Sequence, residues 1–375
     1  MSQAQKTTLT RGWRIEPRQQ LSRSVKFLSI VLAFLAAMLF SSLLLLTAGV
    51  NLIEAFGALL KGAFGSWRAF MDTLARATPL ILTGLAAALA FRGKIWNIGG
   101  EGQLIGGAMA GFLAFTLFSG LPRPVFYLLV LLFCFLGGAL LGVLSGWLKV
   151  RFNVDEIIST VMMNYIILYF LSFMLSAEGP WREPGSFYQQ TMMVPAALRF
   201  PVLFPRSEVH LGFLVALISA ITVKVMLDKT PLGYEIRALG FNPKALKFKG
   251  TNISRLIMVT LLLSGGLAGL AGAGELYGVQ HRLVMDLSNG LGYAGIIVAM
   301  LAGLDPLGVV LAALLFGGLI NGAYRLQTVT GVPSAFVDAI QAIVLLCVLA
   351  SFVLSRFQIR RVVDVESDLS SGDHR

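Results

Sequence analysis

Long uncharged apolar runs dominate the chain and are separated by short polar segments. The first extends from Phe27 to Val50 without a charged residue. A bilayer core about 30 Å thick is crossed by roughly 20 apolar residues in a helix. The runs predict about ten membrane-crossing helices, centred near residues 38, 83, 111, 136, 167, 217, 266, 296, 315 and 346. The second is predicted to be short, since only Ala77 to Phe91 lie between Arg76 and Arg92.

The same pattern predicts an all-α, polytopic helix bundle at residues 27–356, with polar tails at 1–26 and 357–375. Its longest loops are 177–210 and 228–255. Most of the 30 Lys and Arg residues fall in the tails and in loops on the same side as the tails. Because basic residues are retained on the cytoplasmic side, both termini and the 228–255 loop are expected there, and the 177–210 loop is expected to be periplasmic.

Composition supports a membrane protein over a water-soluble one. The chain is 56% hydrophobic and 13% charged, whereas soluble domains carry about 25% charged residues. The net charge of +11 is assigned to topology signals, because no basic stripe with interleaved aromatics indicates nucleic acid binding. Cys134 and Cys347 lie inside apolar runs, which argues against a disulfide framework or a metal site.

Two stretches of the chain resemble each other. Leu131–Gly142 and Leu311–Gly322 share apolar residues around a Gly-Gly pair. An odd number of helices in each half would make the halves inverted, so the pattern predicts two inverted five-helix repeats. Chance similarity between Gly- and Leu-rich helices is the alternative. Repeated glycines four residues apart, as at Gly138 and Gly142, predict close helix packing.

The 228–255 loop has the pattern of two short capped helices. Leu232–Leu239 is predicted to be helical and to end at Gly240 in a left-handed conformation. Asn242 and Pro243 are a typical N-cap and first helical residue, and this second helix ends at Gly250. The pattern indicates a compact docking element; a basic topology anchor is the alternative.

Six polar residues fall within or beside the apolar runs. They are Asn97, Glu101, Gln103, Asn164, Glu275 and Asp338. Such groups are costly at membrane depth and commonly line a pathway or gate. Alternatively, the carboxylates cap helix ends or pair with interfacial arginines, and Asn164 makes an interhelical hydrogen bond. The short second span and Gly99-Gly100 also suggest a broken helix facing the pathway.

The sequence offers no motif for chemistry of its own. It contains no GxxxxGK[ST] phosphate-binding loop, and its three histidines are not spaced for a metal or a catalytic triad. We therefore expect no enzymatic activity and no cofactor or metal in this chain.

Motifs spread from about Ala75 to Leu354 carry a family resemblance. They are Asn97–Gln103, Val154–Glu156 with Asn164-Tyr165, Leu232–Ala238 with Gly240–Pro243, Ser264–Gly269 through Glu275, Gly292-Tyr293 through Asp305–Gly308, and Gly331–Ser334 with Asp338. Together they resemble permease subunits of ABC importers for simple sugars and nucleosides, in particular the longer permease of bacterial guanosine-type systems.

The resemblance implies a subunit of the bacterial inner membrane that works with three kinds of partner. These are cytoplasmic ABC ATPases that bind the ATP, a second, shorter permease, and a periplasmic substrate-binding protein. By similarity, the ATPase-coupling surface comprises Gly233, Glu235, Arg237, Gly240, Asn242 and Pro243.

The expected function is translocation of nucleosides by alternating access. Gly100 departs from the bulkier residue common in relatives, and the Trp181–Phe204 segment has no recognisable ligand feature. Ribose-type sugars and branched-chain amino acids therefore stay open as substrates. An ion-coupled secondary transporter is the rival class, but it would need carboxylates at mid-membrane, whereas most here lie near predicted helix ends.

Overall fold

A computed structural model describes residues 8–17, 23–355 and 357–366, and this part of the chain is mostly helical. The elements are β1 (Thr8–Pro17), α1 (Arg23–Thr47), α2 (Leu52–Phe64), α3 (Trp67–Arg92), α4 (Gly100–Phe118), α5 (Arg123–Phe152), α6 (Glu156–Met174), α7 (Leu211–Lys229), α8 (Pro231–Phe241), α9 (Pro243–Phe248), α10 (Ile253–Gly274), α11 (Leu291–Leu301), α12 (Pro306–Thr330), α13 (Ser334–Ser355) and β2 (Phe357–Glu366). A 3-10 turn at Ala196–Leu198 lies in the long loop, and a π-helical segment, Glu275–Gln280, continues α10.

The chain divides into two compact units, residues 1–44 with 342–375 and residues 45–341. In the first unit β1 pairs antiparallel with β2, so that Thr8 lies opposite Glu366. The predicted tails therefore contain a two-stranded sheet, for which alternating β-branched residues in β2 were an available signal. Residues 1–7, 18–22 and 367–375 of those tails lie outside the described residues.

Seven helices of the described chain are long and apolar enough to cross a membrane: α3, α4, α5, α6, α7, α10 with its π-helical extension, and α12. These confirm seven of the ten predicted spans. The other three predicted centres fall in α1, α11 and α13, whose apolar stretches are shorter, so the count of ten stays a prediction.

The second span is not short as the sequence suggested. Helix α3 has 26 residues and runs without a break through Arg76, the charged residue expected to precede the span. The Arg76 guanidinium lies 5.1 Å from the centre of the Tyr324 ring in α12, so this partly buried charge packs against a neighbouring helix instead of ending the span. The non-helical segment comes after α3, at residues 95–98.

Glycines set the distance between the central helices. A Cβ added to Gly138 of α5 would lie 2.2 Å from the carbonyl oxygen of Gly265 in α10, and one added to Gly142 would lie 2.2 Å from that of Leu261. Gly317 of α12 approaches the carbonyl oxygen of Thr73 in α3 almost as closely, at 2.7 Å. The predicted glycine packing is therefore confirmed, and it buries backbone against backbone where lipid supplies no hydrophobic driving force.

We expect Gly138→Ala to destabilise the protein by about 1–3 kcal/mol, because its methyl group would overlap the Gly265 carbonyl and force α5 and α10 apart. The measurement is the thermal midpoint of the detergent-solubilised protein. Gly57→Ala in α2 is the matched control, since nothing lies within 4 Å of its added Cβ. Equal midpoints for the two variants would contradict the close packing.

Candidate functional site

The non-helical backbone between α3 and α4 is held by a buried amide cluster. Asn97 donates through Nδ2 to Gln103 Oε1 at 3.0 Å and to Ser264 Oγ of α10 at 2.8 Å. Its Oδ1 accepts from the Gly99 amide at 3.0 Å. Within a membrane such backbone is tolerated only where protein groups satisfy it. Asn97 and Gln103 are therefore brought together, and their interaction fixes where α4 begins.

Asn164 of α6 joins this cluster from the other side. Its Oδ1 accepts from the Gly102 amide at 2.8 Å, and its Nδ2 donates to the Ile98 carbonyl and to Tyr293 Oη, each at 3.1 Å. The side chain is buried, as the sequence predicted for an amide within an apolar helix. It ties α6, α4 and α11 together, which agrees with the interhelical hydrogen bond considered for it.

Glu101 acts as a cap, but for a helix distant in sequence. Its carboxylate accepts from Ser288 Oγ at 2.5 Å and from the backbone amides of Gly290 and Gly292 at 2.9 and 2.8 Å. These groups form the entry to α11, where the helix dipole favours a negative charge. Gly292 passes so close to Glu101 that an added Cβ would lie 2.2 Å from the Glu101 nitrogen. The first turns of α4 and α11 therefore meet.

Two of the six predicted polar residues lie elsewhere. Glu275 is buried in the π-helical segment after α10, within electrostatic range of Arg76. Asp338 is exposed in the first turns of α13. Among the described residues, neither forms a hydrogen bond to Asn97, Glu101 or Asn164.

Sequence reasoning missed the role of Glu156 at the start of α6. It is buried, forms an ion pair with Lys149 of α5, and accepts from the Trp96 amide at 3.4 Å. Thr160, one turn later, accepts from the Ile98 amide at 3.2 Å. The available signal was Asp155, an N-cap that places the next residue in the first turn. No group of three or more His, Cys, Asp or Glu side chains in the described residues is arranged to hold a metal ion.

The second feature is the helical pair α8–α9. Thr230 caps α8 by accepting from the Gly233 amide at 3.2 Å, and Asn242 caps α9 by accepting from the Ala245 amide at 3.2 Å. Pro243 is the first residue of α9. The predicted pair of capped helices is therefore confirmed.

The predicted reason for Gly240 was wrong. It does not end α8 in a left-handed conformation; α8 continues through it to Phe241. Gly240 is required by close approach, since an added Cβ would lie 2.3 Å from the carbonyl oxygen of Arg92 at the end of α3. Gly233 has a similar constraint, with Met226 O at 2.1 Å. Local turn preferences could not reveal either contact, because both depend on packing.

Charged groups link α8 to the membrane helices. Arg237 contacts Asp228 at 3.4 Å, and Lys224 contacts both Asp228 at 3.1 Å and Asp305 at 2.5 Å. Glu235 is tied to α9 and the residues after it, accepting from Thr251 Oγ1 at 3.2 Å. Glu235 and Arg237 are thus internal ties of this region as well as parts of its surface.

The exposed face of α8–α9 is aromatic and basic. Phe241 is 87% exposed and Phe248 is 93% exposed. Lys244 and Lys247 lie on the same short segment and are also exposed. Large aromatics left in solvent beside a rigid, capped helix are typical of a surface covered by a partner protein.

The comparisons with known proteins decide the family. Residues 69–349 match the model of the branched-chain amino acid transport system permease component. The chain is 38% identical to the guanosine ABC transporter permease NupP of Bacillus subtilis, over 88% of this chain and 94% of the relative. This chain belongs to the ABC transporter permease family.

Two further relatives support the assignment. A glucose ABC transporter permease of Haloferax volcanii, TsgB13, is 31% identical over 96% of this permease and 98% of its own length. A nucleoside ABC transporter permease of Lactococcus lactis, NupB, is 30% identical over 89% and 93%. No solved structure matches the chain. The permease is an integral membrane transport component rather than a catalyst.

Asp305, the N-cap of α12, is a titratable residue that links this helix to Lys224 of α7 by an ion pair. Burial opposes its charged form, but hydrogen bonds from Lys224 and from the Gly308 amide, with the charges of Lys224 and Arg92, outweigh burial and lower the pKa of Asp305 below its ordinary value of 3.8. A lowered pKa means that the ionised carboxylate stabilises the fold above the ordinary pKa. That stabilisation is lost as the pH falls through the lowered value.

Asp305→Asn removes the charge and keeps a good helix-capping side chain. We expect this variant to melt below the wild type at neutral pH, with the difference narrowing as the pH falls below about 4. Thermal midpoints measured across that range test this, with the exposed loop residue Asp286→Asn as control. A difference that is constant with pH would contradict a role for the charge.

Proposed function

We propose that the permease carries nucleosides into the cell as one membrane subunit of an ATP-driven importer. The observation that carries this proposal is its 38% identity, over nearly the whole length, to a guanosine permease. A periplasmic binding protein would deliver the ligand, a second, shorter permease would complete the pathway, and cytoplasmic ATPases would supply the energy.

A sugar is the second candidate substrate, favoured by the similarity to a glucose permease over 96% of the chain. Both nucleosides and sugars carry hydroxyl groups, but only nucleosides also carry a flat base. The polarity of a pathway is therefore not enough to distinguish the two substrates. The nucleoside is preferred because the guanosine and nucleoside permeases among the relatives include the one with 38% identity.

The proposed architecture has ten membrane helices in two inverted halves, with both termini cytoplasmic. The halves are α1 and α3–α6, and α7 and α10–α13. Equivalent contacts between the halves support this. The fourth helix of the first half, α5, packs on the second helix of the other half, α10. The fourth helix of the second half, α12, packs in the same way on the second helix of the first half, α3. The third helices, α4 and α11, meet at Gly100 and Gly292. Inverted halves would place these two helix starts near the middle of the membrane.

We assign the gate to the cluster at these helix starts: Asn97, Glu101, Gln103 and Asn164. Their hydrogen bonds hold α4, α6, α10 and α11 in one arrangement. Alternating access requires helices that can adopt two different positions. A cluster that hydrogen-bonds four helices would transmit a movement of one helix to the other three. Glu275 and Asp338 lie apart from this gate, and we leave them out of it.

The coupling surface is assigned to α8–α9, with the ATPase docking on Phe241, Phe248 and the neighbouring lysines. Motion there would reach the membrane helices through Gly240 against the Arg92 carbonyl and through the Lys224–Asp305 contact. Of the residues that the family resemblance indicated, Gly233, Gly240, Asn242 and Pro243 shape this element, and Glu235 and Arg237 tie it down.

Phe248→Ala should lower recovery of the ATPase with the purified permease by at least about fivefold, because an exposed aromatic anchor is removed while the fold is untouched. Co-purification and uptake are both measured. Phe187→Ala is the matched control, since Phe187 is 98% exposed in the loop at 177–210. Loss of the ATPase in both variants, or in neither, would argue against docking on α9.

The function itself is tested by uptake of labelled guanosine, uridine, ribose and glucose in cells with and without the gene. We expect the deletion to reduce nucleoside uptake and leave both sugars unchanged. Restoring the wild-type gene should recover uptake, and a gene with Phe248→Ala should recover less. Loss of glucose uptake alone would replace the proposal with the sugar permease.

A further inference from the structure

The exposed large hydrophobic side chains of α7 and of the central part of α5 are aliphatic. The exposed residues in the membrane part of α5 include Leu128, Leu132, Leu136 and Leu140, and those of α7 include Leu214, Ile218, Ile221 and Val225. This composition matches hydrocarbon tails. These two helices show what a lipid-facing surface looks like in this chain.

Helix α6 differs from both. Tyr165 lies at the midpoint of α6 and is 50% exposed, and Tyr169, one turn later on the same face, is 69% exposed. Tyrosine at lipid-facing positions prefers the membrane interfaces, and a hydroxyl among acyl chains at mid-depth has no hydrogen-bond partner. The other exposed positions of α6 are apolar, with Ile158, Met162, Ile166, Phe170 and Phe173 among them. The two phenol hydroxyls are therefore the polar groups on an otherwise apolar, partly aromatic face, and each needs a hydrogen-bond partner.

A third tyrosine belongs to the same surface. Tyr293, near the start of α11, is 40% exposed, and its Oη accepts from Asn164 Nδ2 at 3.1 Å. The residue before it, Gly292, donates to the Glu101 carboxylate at 2.8 Å, and Asn164 directly precedes Tyr165 in α6. Because the Tyr293 oxygen accepts the bond from Asn164, its own hydroxyl hydrogen remains available to a ligand. These hydrogen bonds place Tyr293 beside the segment of α6 that carries Tyr165 and beside the Glu101 carboxylate.

We propose that Tyr165, Tyr169 and Tyr293 form an aromatic platform on which the flat base of a nucleoside stacks as it passes through the membrane. The inference deepens the proposed nucleoside function and rests on it. Stacking on an aromatic side chain tolerates any base and is weak enough to release it. Tyr293 and the Glu101 carboxylate, which keeps acceptor capacity beyond its three bonds, are placed to contact polar groups of the ligand. Asn164 is a positioning residue, since its amide is occupied by the protein.

The first experiment measures guanosine uptake by the complete transporter, reconstituted in vesicles with its partner subunits. Tyr169→Ala should lower uptake at subsaturating guanosine about tenfold, as expected when one stacking contact is lost. Tyr169→Phe keeps the ring and should stay within about twofold of the wild type. Leu136→Ala, on the aliphatic face of α5, is the control and should leave uptake unchanged.

The second experiment asks whether this face meets water. Tyr165→Cys is placed in a Cys134→Ala, Cys347→Ala background and treated with a membrane-impermeant, charged thiol reagent. We expect labelling at residue 165 that guanosine slows at least about threefold, whereas Leu136→Cys should resist the reagent, because charged reagents do not enter hydrocarbon.

The outcomes separate the platform from the function on which it rests. Wild-type vesicles that take up no nucleoside overturn both. Normal uptake by Tyr169→Ala, or labelling that guanosine does not slow, overturns only the platform. Loss of the second permease from purified Tyr169→Ala also overturns it, because the face would then be a subunit interface. Reduced uptake with intact assembly and guanosine protection supports it.

Discussion

Backbone amides and carbonyls without helical partners cannot remain unsatisfied inside a membrane. This permease places two such segments next to each other, before α4 and before α11, and the arrangement depends on how they are satisfied. Asn97 and Asn164 bond the first segment, and Glu101 bonds the second. Asn97 and Glu101 both lie at the start of α4, and Asn164 comes from α6. With Ser264 of α10 and Gly292 of α11, four helices share one set of hydrogen bonds.

That shared set explains why glycines surround it. Helices can begin within the bundle only if their neighbours pass close enough to bury the exposed backbone. Gly107 of α4 would place an added Cβ 2.4 Å from Gly269, and Gly295 of α11 would place one 2.3 Å from Thr83 Oγ1. Side-chain hydrogen bonds and glycines therefore act together at these helix starts. The hydrogen bonds satisfy the exposed backbone groups, and the glycines allow neighbouring helices to pack closely enough to exclude lipid.

The α8–α9 pair connects to this centre through short contacts. Gly240 of α8 abuts the Arg92 carbonyl, and Arg92 Nε donates to the Leu304 carbonyl between α11 and α12 at 3.1 Å. Arg92 is the last residue of α3, and the non-helical segment that contains Asn97 follows it. In the proposed coupling, a displacement of α8 would act on α3, and through it on both helix starts, without a long chain of intermediates.

Apolar run length was enough to determine a polytopic helical protein, because lipid allows few alternatives to a continuous helix. The cap at Asn242 was likewise readable, since an N-cap acts within three residues, whereas the cap at Thr230 was not predicted. The family resemblance located Asn97, Glu101 and Asn164, and local chemistry offered capping or interhelical bonding for them. Only the tertiary structure decided three other points. These are the helix that Glu101 caps, the close approach that requires a glycine at 240, and the position of Arg76 within α3. Each depends on a partner more than one hundred residues away, which short-range sequence patterns do not specify.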